Sequence, residues 1–235
     1  STIAIIPWNI YLFYGDSKLL ADCYENIKRY VDYVDRTSPS GLTSWGRGDW
    51  VPVKSHSSKE LTSSVYFYVD TKILANAAKL FNKQEDYEHY QALAEKIRQA
   101  INDKYLNRET GIYASGVQTE LSVPLMWGIV PKDMKAKVAR NLAKKVQEAG
   151  FHLDVGVLGA KAILNALSEN GEAETAYKVA AQDTYPSWGC WIANGATTLL
   201  ENWDLNATRD ISDNHMMFGE IGGWFYKGLG GIFPD

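Results

Sequence analysis

Two consecutive segments, Ser58 to about Phe81 and Gln84 to about Tyr105, most constrain what this chain can fold into. In the first, Leu61, Val65, Tyr68, Val69, Ile73, Leu74, Ala77 and Leu80 recur at helical spacing. In the second, Tyr87, Tyr90, Leu93, Ala94, Ile97 and Ile101 do so, with charged residues on the other side. The same period runs from Leu19 through Val34, from Met134 to Val146 behind Pro131, and in shorter form up to Leu167, from Ala173 to Ala181, and over Met216 to Phe225. Pro7 fits the first turn of an opening helix, Asp16 or Ser17 caps the next, and Ser57 or Ser58 caps the long third. Thr119 to Gly128 reads as a short buried helix broken near Pro124, and Gly150 closes the helix that begins at Pro131. Only Ile112-Tyr113 suggests a strand. The expected chain is all-α, with nine or ten helices in up-down order.

The connections are of two kinds. Some are tight polar turns such as Ser168-Glu-Asn-Gly171. Others, at 41–57, 150–159, 184–191 and 203–214, are rich in Trp and Gly and too long to be simple connectors. If the two kinds gather at opposite ends, the arrangement is a double ring of helices, the (α/α)6 toroid. Twelve helices complete such a ring, so two or three are expected outside this chain. Residues 1–235 then read as the C-terminal portion of one helical domain, and the uncapped start Ser-Thr-Ile-Ala-Ile-Ile-Pro, which lacks the marks of a signal peptide, reads as the interior of a longer polypeptide.

Composition narrows the function. Hydrophobic residues make up 46% of the chain, enough for a sizeable core, and the net charge of −4 is spread without a basic stripe, which argues against nucleic acid. No apolar run reaches membrane-spanning length. Cys23 and Cys190 lie far apart, without metal-ligand spacing, and neither a phosphate loop nor a dinucleotide fingerprint is present, so no cofactor or metal is expected. Asp204, Asp210 and Asp213 read as a solvated acidic loop in preference to a calcium site. Eight Trp and fourteen Tyr supply a core and leave rings to line a cleft.

The candidate site lies between Gly195 and Phe218. Glu201 is expected on a short helical run, with Trp203 two residues on and Asn214-His215 opening another helix. A carboxylate for proton transfer, an imidazole and an amide for hydroxyls, and indoles for the C–H face of a pyranose together suit a sugar pocket. Singly, Glu201 reads as a solvated helix residue and Trp203 as core. Asp49-Trp50, in the first long loop, divide evenly between a turn with a packed anchor and a site, and Asp154 reads as a helix cap before it reads as a pocket acid.

Several pieces in order resemble the α-L-rhamnosidases of glycoside hydrolase family 78. They are Pro7-Trp8 with Tyr14-Gly-Asp16, Gly48-Asp49-Trp50, Gln118-Thr119 with Gly128 to Pro131, Leu158-Gly159, Tyr185-Pro-Ser-Trp-Gly189, Gly195-Ala-Thr-Thr-Leu-Leu-Glu-Asn-Trp203, Asn214-His215 with Phe218-Gly219, and Trp224-Phe-Tyr226 with Leu229-Gly-Gly-Ile232. The resemblance implies a six-hairpin (α/α)6 domain that hydrolyses terminal α-L-rhamnose by inversion. It places the general base on Glu201, the sugar-contacting Trp on Trp50 and the pocket His on His215. Asp49, Trp188, Trp203 and Asn214 complete the expected substrate-binding set.

The family's Trp-Glu-Arg-Trp is here Leu200-Glu201-Asn202-Trp203, and the motif of its general acid matches nothing in this chain, which puts the acid upstream of Ser1. The implied partners are a rhamnose-containing oligosaccharide or glycoside and upstream domains of the same protein, and enzymes that strip such polysaccharides are usually exported. Two other readings stand beside this one. One is a non-catalytic carbohydrate-binding helical domain, motivated by Leu200 and Asn202. The other is a different (α/α)6 sugar enzyme such as an epimerase, which would need paired pocket histidines, drawn here from His56, His152 and His215.

Overall fold

The helical periods become helices close to the boundaries they mark. The computed structural model describes residues 1–233, and the chain divides into two units, one of residues 1–46 and 63–104, the other of residues 47–62 and 105–233. Ten α-helices and one two-stranded ladder are present among the described residues.

The first unit holds α1 (Thr2–Tyr14), α2 (Lys18–Thr37), most of α3 (Lys59–Leu80) and all but the last residue of α4 (Gln84–Tyr105). Helix α2 buries Leu20, Tyr24, Ile27, Val31 and Val34, a stripe at three-and-four spacing, and α4 buries Tyr90, Leu93, Ala94, Ile97 and Ile101. The buried tyrosines keep their hydroxyls satisfied across this seam: Tyr24 donates to Asp86 at 2.7 Å and Tyr90 to Asp32 at 2.6 Å. Helix α1 stops at Gly15, whose φ of 68° lets its N–H reach back to the Tyr11 carbonyl. Pro7 is inside α1 and not in its first turn, because the apolar run ahead of it continues the helix back to Thr2. Asp16 supplies the bond at the start of α2, accepting from the Lys18 N–H at 2.8 Å.

The second unit is built on α5 (Gln118–Met126) and α7 (Val157–Ser168), with α6 (Lys135–Glu148) and α8 (Ala173–Ala180) beside them. Its one ladder pairs β1 (Leu106–Asn107) with β2 (Ile112–Tyr113), antiparallel, at the strand that was expected. Every residue of α5 from Gln118 to Leu125 is buried, and the helix runs on through Pro124 to Met126. Burial includes Glu120, whose carboxylate accepts from the Ser58 N–H at 2.8 Å, the Ser115 N–H at 2.9 Å, the Ser115 hydroxyl at 2.7 Å and the Gly116 N–H at 3.1 Å. Four donors are what a buried carboxylate needs to offset its lost hydration.

Three segments depart from expectation. Residues 131–134 form a turn that precedes α6, with the Met134 N–H on the Pro131 carbonyl. Trp188–Ala193, expected as loop, is helix α9, capped by Ser187, whose hydroxyl accepts from the Cys190 N–H at 3.0 Å. The single last helix is instead a 3₁₀ turn (Met216–Phe218), a short α10 (Glu220–Trp224) and a π turn (Phe225–Leu229).

These departures surround an aromatic core. Trp191 stacks on Trp203 with ring centroids 4.8 Å apart and 21° between planes. Phe218 approaches Trp203 to 4.3 Å, and Trp188 meets it edge-on at 5.3 Å. Each indole N–H finds a carbonyl: Trp203 that of Val155 at 2.9 Å, Trp188 that of Phe218 at 3.0 Å, and Trp191 that of Trp203 at 3.3 Å. Trp203 is 1% exposed and at the centre of this cluster. Trp203→Ala is therefore expected to lower unfolding stability by roughly 3–5 kcal/mol, readable as a shift of the urea midpoint.

Candidate active site

Glu201 stands in an irregular stretch, not on the helical run that the sequence suggested. Residues 198–201 pair with 212–215: the Glu201 N–H donates to the Ser212 carbonyl at 3.0 Å, the His215 N–H to the Leu199 carbonyl at 2.8 Å, and the Thr198 hydroxyl to the Asp213 carbonyl. The run Gly-Ala-Thr-Thr ahead of it, with its β-branched threonines, favours extended backbone over a helix as short as this would be.

This pairing brings Glu201 and His215 together. Oε2 of Glu201 accepts from the Ser212 N–H at 3.1 Å, while Oε1 faces His215 Nε2 at 3.9 Å. The glutamate side chain is 19% exposed and the imidazole 34%. His215 Nδ1 accepts from the Met217 N–H at 3.2 Å, so in the neutral ring the proton sits on Nε2, on the side of the carboxylate. A gap of 3.9 Å is longer than a hydrogen bond, which leaves Oε1 with lone pairs free to take a proton from a third group. His215 heads the 3₁₀ turn, as its expected place at a helix start required. Asn214 beside it is exposed, its backbone N–H on the Ser212 hydroxyl at 3.3 Å.

Beyond His215 opens a cleft of about 360 Å³ lined by Val157, Leu158 and Lys161 of α7 and by Met216, Met217, Gly219, Glu220 and Gly223. Lys161 Nζ lies 3.2 Å from Glu220 Oε2, and Lys227 Nζ lies 3.4 Å from its other oxygen. The sequence reading missed Lys161, Met216 and Glu220. They are separated in the chain and follow no motif, and helical period alone marks Lys161 as just another polar position.

Asp49 has a different task from the one expected. It is buried, and its Oδ1 accepts from the N–H groups of Leu158 at 2.7 Å and Gly159 at 3.2 Å, its Oδ2 from the Gly156 N–H at 2.8 Å and from the Thr119 hydroxyl. Burial pushes its carboxyl above the ordinary carboxylate range, and the four donors act in the opposite sense. Such a carboxylate is a clasp on the first turn of α7, with no oxygen turned to a ligand. Trp50 adds its own carbonyl, which accepts from the Val157 N–H at 2.9 Å, while its half-buried ring takes the Arg47 guanidinium 5.5 Å from the centroid. Trp50 thus keeps part of its ring toward solvent.

Trp188 and Trp203, expected to stack on sugar, are corrected by the core described above. At 1% exposed, Trp203 has its ring set among Trp188, Trp191 and Phe218, and Trp188, at 5%, has its ring edge-on to Trp203 and its N–H on the Phe218 carbonyl. Asp154 is neither pocket acid nor helix cap. It accepts from the N–H groups of Lys54 and Ser55, both at 3.0 Å, and from the Ser55 hydroxyl at 2.6 Å. Asn202, standing where the family pattern has Arg, turns its amide inward to the Arg209 carbonyl at 3.3 Å and the Asp204 N–H at 3.0 Å. Among the described residues no group of three His, Cys, Asp or Glu could hold a metal ion, and no helix is long and apolar enough to cross a membrane.

The family model described as the bacterial alpha-L-rhamnosidase 6 hairpin glycosidase domain matches residues 1–229. The chain belongs to this family. Its all-α fold is accordingly of the (α/α)6 six-hairpin class. It is 30% identical to an alpha-L-rhamnosidase of Streptomyces avermitilis over 97% of its own length and 23% of that relative's, and 29% identical to one of Formosa agariphila over 98% and 26%. Among solved structures it is similar to the alpha-L-rhamnosidase of Dictyoglumus thermophilum (TM-score 0.89, 38% identity, 95% of this chain and 26% of that one). It is also similar to the Streptomyces avermitilis enzyme complexed with L-rhamnose (TM-score 0.93, 29% identity, 99% and 23%). The chain thus spans about a quarter of the length of the relatives it matches.

Two measurements check the clasps. A Cβ at Gly156 would lie 2.2 Å from the Trp50 carbonyl oxygen, so Gly156→Ala is expected to cost roughly 1–3 kcal/mol of unfolding stability by overpacking. The Asp154 carboxyl lies below its ordinary value of 3.8: burial raises it, and the Ser55 and Lys54 donors outweigh burial. The stability it contributes is then full above that ordinary value and lost as pH falls through the depressed folded one. Asp154→Asn should flatten the acid limb of a stability-versus-pH curve and lower stability near neutral pH.

Proposed function

We propose that this chain is the C-terminal portion of an inverting α-L-rhamnosidase catalytic domain and carries the base half of its site. The observation that supports this best is the Glu201–His215 pair: a part-exposed carboxylate with one oxygen held by the Ser212 N–H and the other free beside an imidazole N–H. Inversion needs a base that removes a proton from water as the water attacks the anomeric carbon, and an acid that protonates the leaving oxygen across roughly 6.5–9.5 Å. Glu201 Oε1 is the base. His215, its Nε2 proton directed by the Met217 N–H, stands beside that oxygen and hydrogen-bonds a sugar hydroxyl or the water. Trp50 offers a ring edge, Asn214 an exposed amide, and the cleft beyond His215 room for part of the substrate. The acid comes from outside residues 1–235, and the substrate is a glycoside or oligosaccharide ending in α-L-rhamnose.

The test is turnover of an aryl α-L-rhamnoside by a polypeptide of the relatives' length that contains this chain, beside a panel of other aryl glycosides. Glu201→Gln is expected to lower kcat by roughly 10²–10⁴-fold with little change in binding. The product should form first as the β-anomer by NMR. Release of another sugar in place of rhamnose, or wild-type turnover in Glu201→Gln, would sink the reading.

A further inference from the structure

The first unit carries an aromatic surface that none of the roles above uses. Trp45 is 64% exposed, the most exposed indole among the described residues. Its ring lies 5.5 Å from that of Tyr33, also exposed, and 6.5 Å from that of half-buried Tyr30, which it faces at 28°. Arg36 sets its guanidinium 5.6 Å from the Tyr33 centroid. Leaving this much aromatic surface in water is costly unless something covers it.

The loop under Trp45 is fixed in place. Thr43 is buried, its N–H donates to the Ser64 hydroxyl at 2.9 Å, and the same hydroxyl donates back to the Thr43 carbonyl at 3.3 Å. Ser64 is fully buried on α3. The Trp45 N–H in turn donates to the Thr43 hydroxyl at 3.2 Å. On the other side Gly41, at φ 81°, packs against α4, where a Cβ would meet Ala100 at 3.3 Å. An indole held out to solvent on a turn bonded to α3 and packed on α4 is preorganised, so its partner meets little ordering cost.

The rim decides the partner. Exposed Arg36 stands at the Tyr33 ring and exposed Ser44 precedes Trp45 in the chain, whereas the hydroxyls of Thr37 and Ser40 donate within their own turns, to the carbonyls of Tyr33 and Leu42. An exposed indole with a guanidinium and a serine hydroxyl beside it suits a pyranose, whose C–H face stacks on the ring while its hydroxyls bond to the polar groups. We propose that Trp45, backed by Tyr30 and Tyr33 and flanked by Arg36, is a second saccharide-binding platform, one that takes the polymeric part of the substrate and includes none of the residues that cleave it. This rests on the rhamnosidase reading for the choice of polysaccharide, and not for the platform itself.

The experiment is affinity electrophoresis of the relatives'-length polypeptide in native gels containing rhamnogalacturonan I, with aryl α-L-rhamnoside turnover measured on the same samples. The expected result is retardation of the wild type, weakened by about three- to ten-fold in Trp45→Ala and largely restored in Trp45→Phe, because the loss is one stacked ring. Turnover of the aryl substrate should stay within about two-fold in both variants, as expected of an exchange at an exposed side chain with no part in the chemistry. Glu201→Gln should show the opposite pattern, with turnover lost and retardation kept. The proposal is overturned if the wild type is not retarded, if Trp45→Ala is retarded like the wild type, or if Trp45→Ala loses aryl turnover as well. Absence of aryl turnover in the wild type would instead strike the rhamnosidase reading and leave the retardation result to stand by itself.

Discussion

The second unit depends on one buried carboxylate. Asp49 closes the first turn of α7 by accepting three of its N–H groups, which no intrahelical carbonyl can satisfy, and it ties that turn to α5 through Thr119. The loop that contains Asp49 is thereby fixed at both its polar end and its aromatic one, since Trp50 binds the next N–H along. The arrangement works only where residues 156 and 159 lack side chains. A Cβ at 159 would fall 2.2 Å from the Thr119 hydroxyl, as one at 156 would fall on the Trp50 carbonyl. Val51, directly after, is held at φ 52°, a conformation that costs a β-branched residue of order 1–3 kcal/mol and persists only because its neighbours are so firmly placed.

From that turn the constraint passes to the chemistry. Val155, just ahead of the clasped turn, accepts the Trp203 indole N–H, and Trp203 is two residues from Glu201. The aromatic core then acts as the bed on which the paired stretches 198–201 and 212–215 lie, with Phe218 under the 3₁₀ turn that carries His215. A base must be aimed but not buried, and here the aiming is done by backbone hydrogen bonds and packed rings, so the carboxylate itself stays partly in water.

Much of the fold was legible from period and punctuation. The bounds of α2 and α4 follow closely from apolar spacing, because long amphipathic helices repeat the same signal many times. Short elements repeat it once or not at all. Trp188-Gly-Cys-Trp191 looked like a loop because its glycine and aromatics carry no polar face, yet a six-residue helix formed where its Ser187 cap and two buried indoles paid for it. For the site, residue type located Glu201 and His215 but not their surroundings. Trp203 and Trp188 could not be told from ligand-facing rings, since an indole has the same face for a sugar as for another indole. Asp49 could not be told from an active carboxylate, since what separates the two is a set of backbone donors more than a hundred residues further on.

The backbone pairing that holds Glu201 has one more implication. Residues 198–201 and 212–215 are locked to each other, and Trp203 is locked to Val155, so the position of the carboxylate is set by bonds made outside residues 204–211. The exposed turn at 204–211 hangs from this frame without supporting it. Related chains can therefore lengthen, shorten or rewrite that turn and leave the reactive oxygen where it is, which makes it the natural place for such a scaffold to vary the outer edge of what it admits.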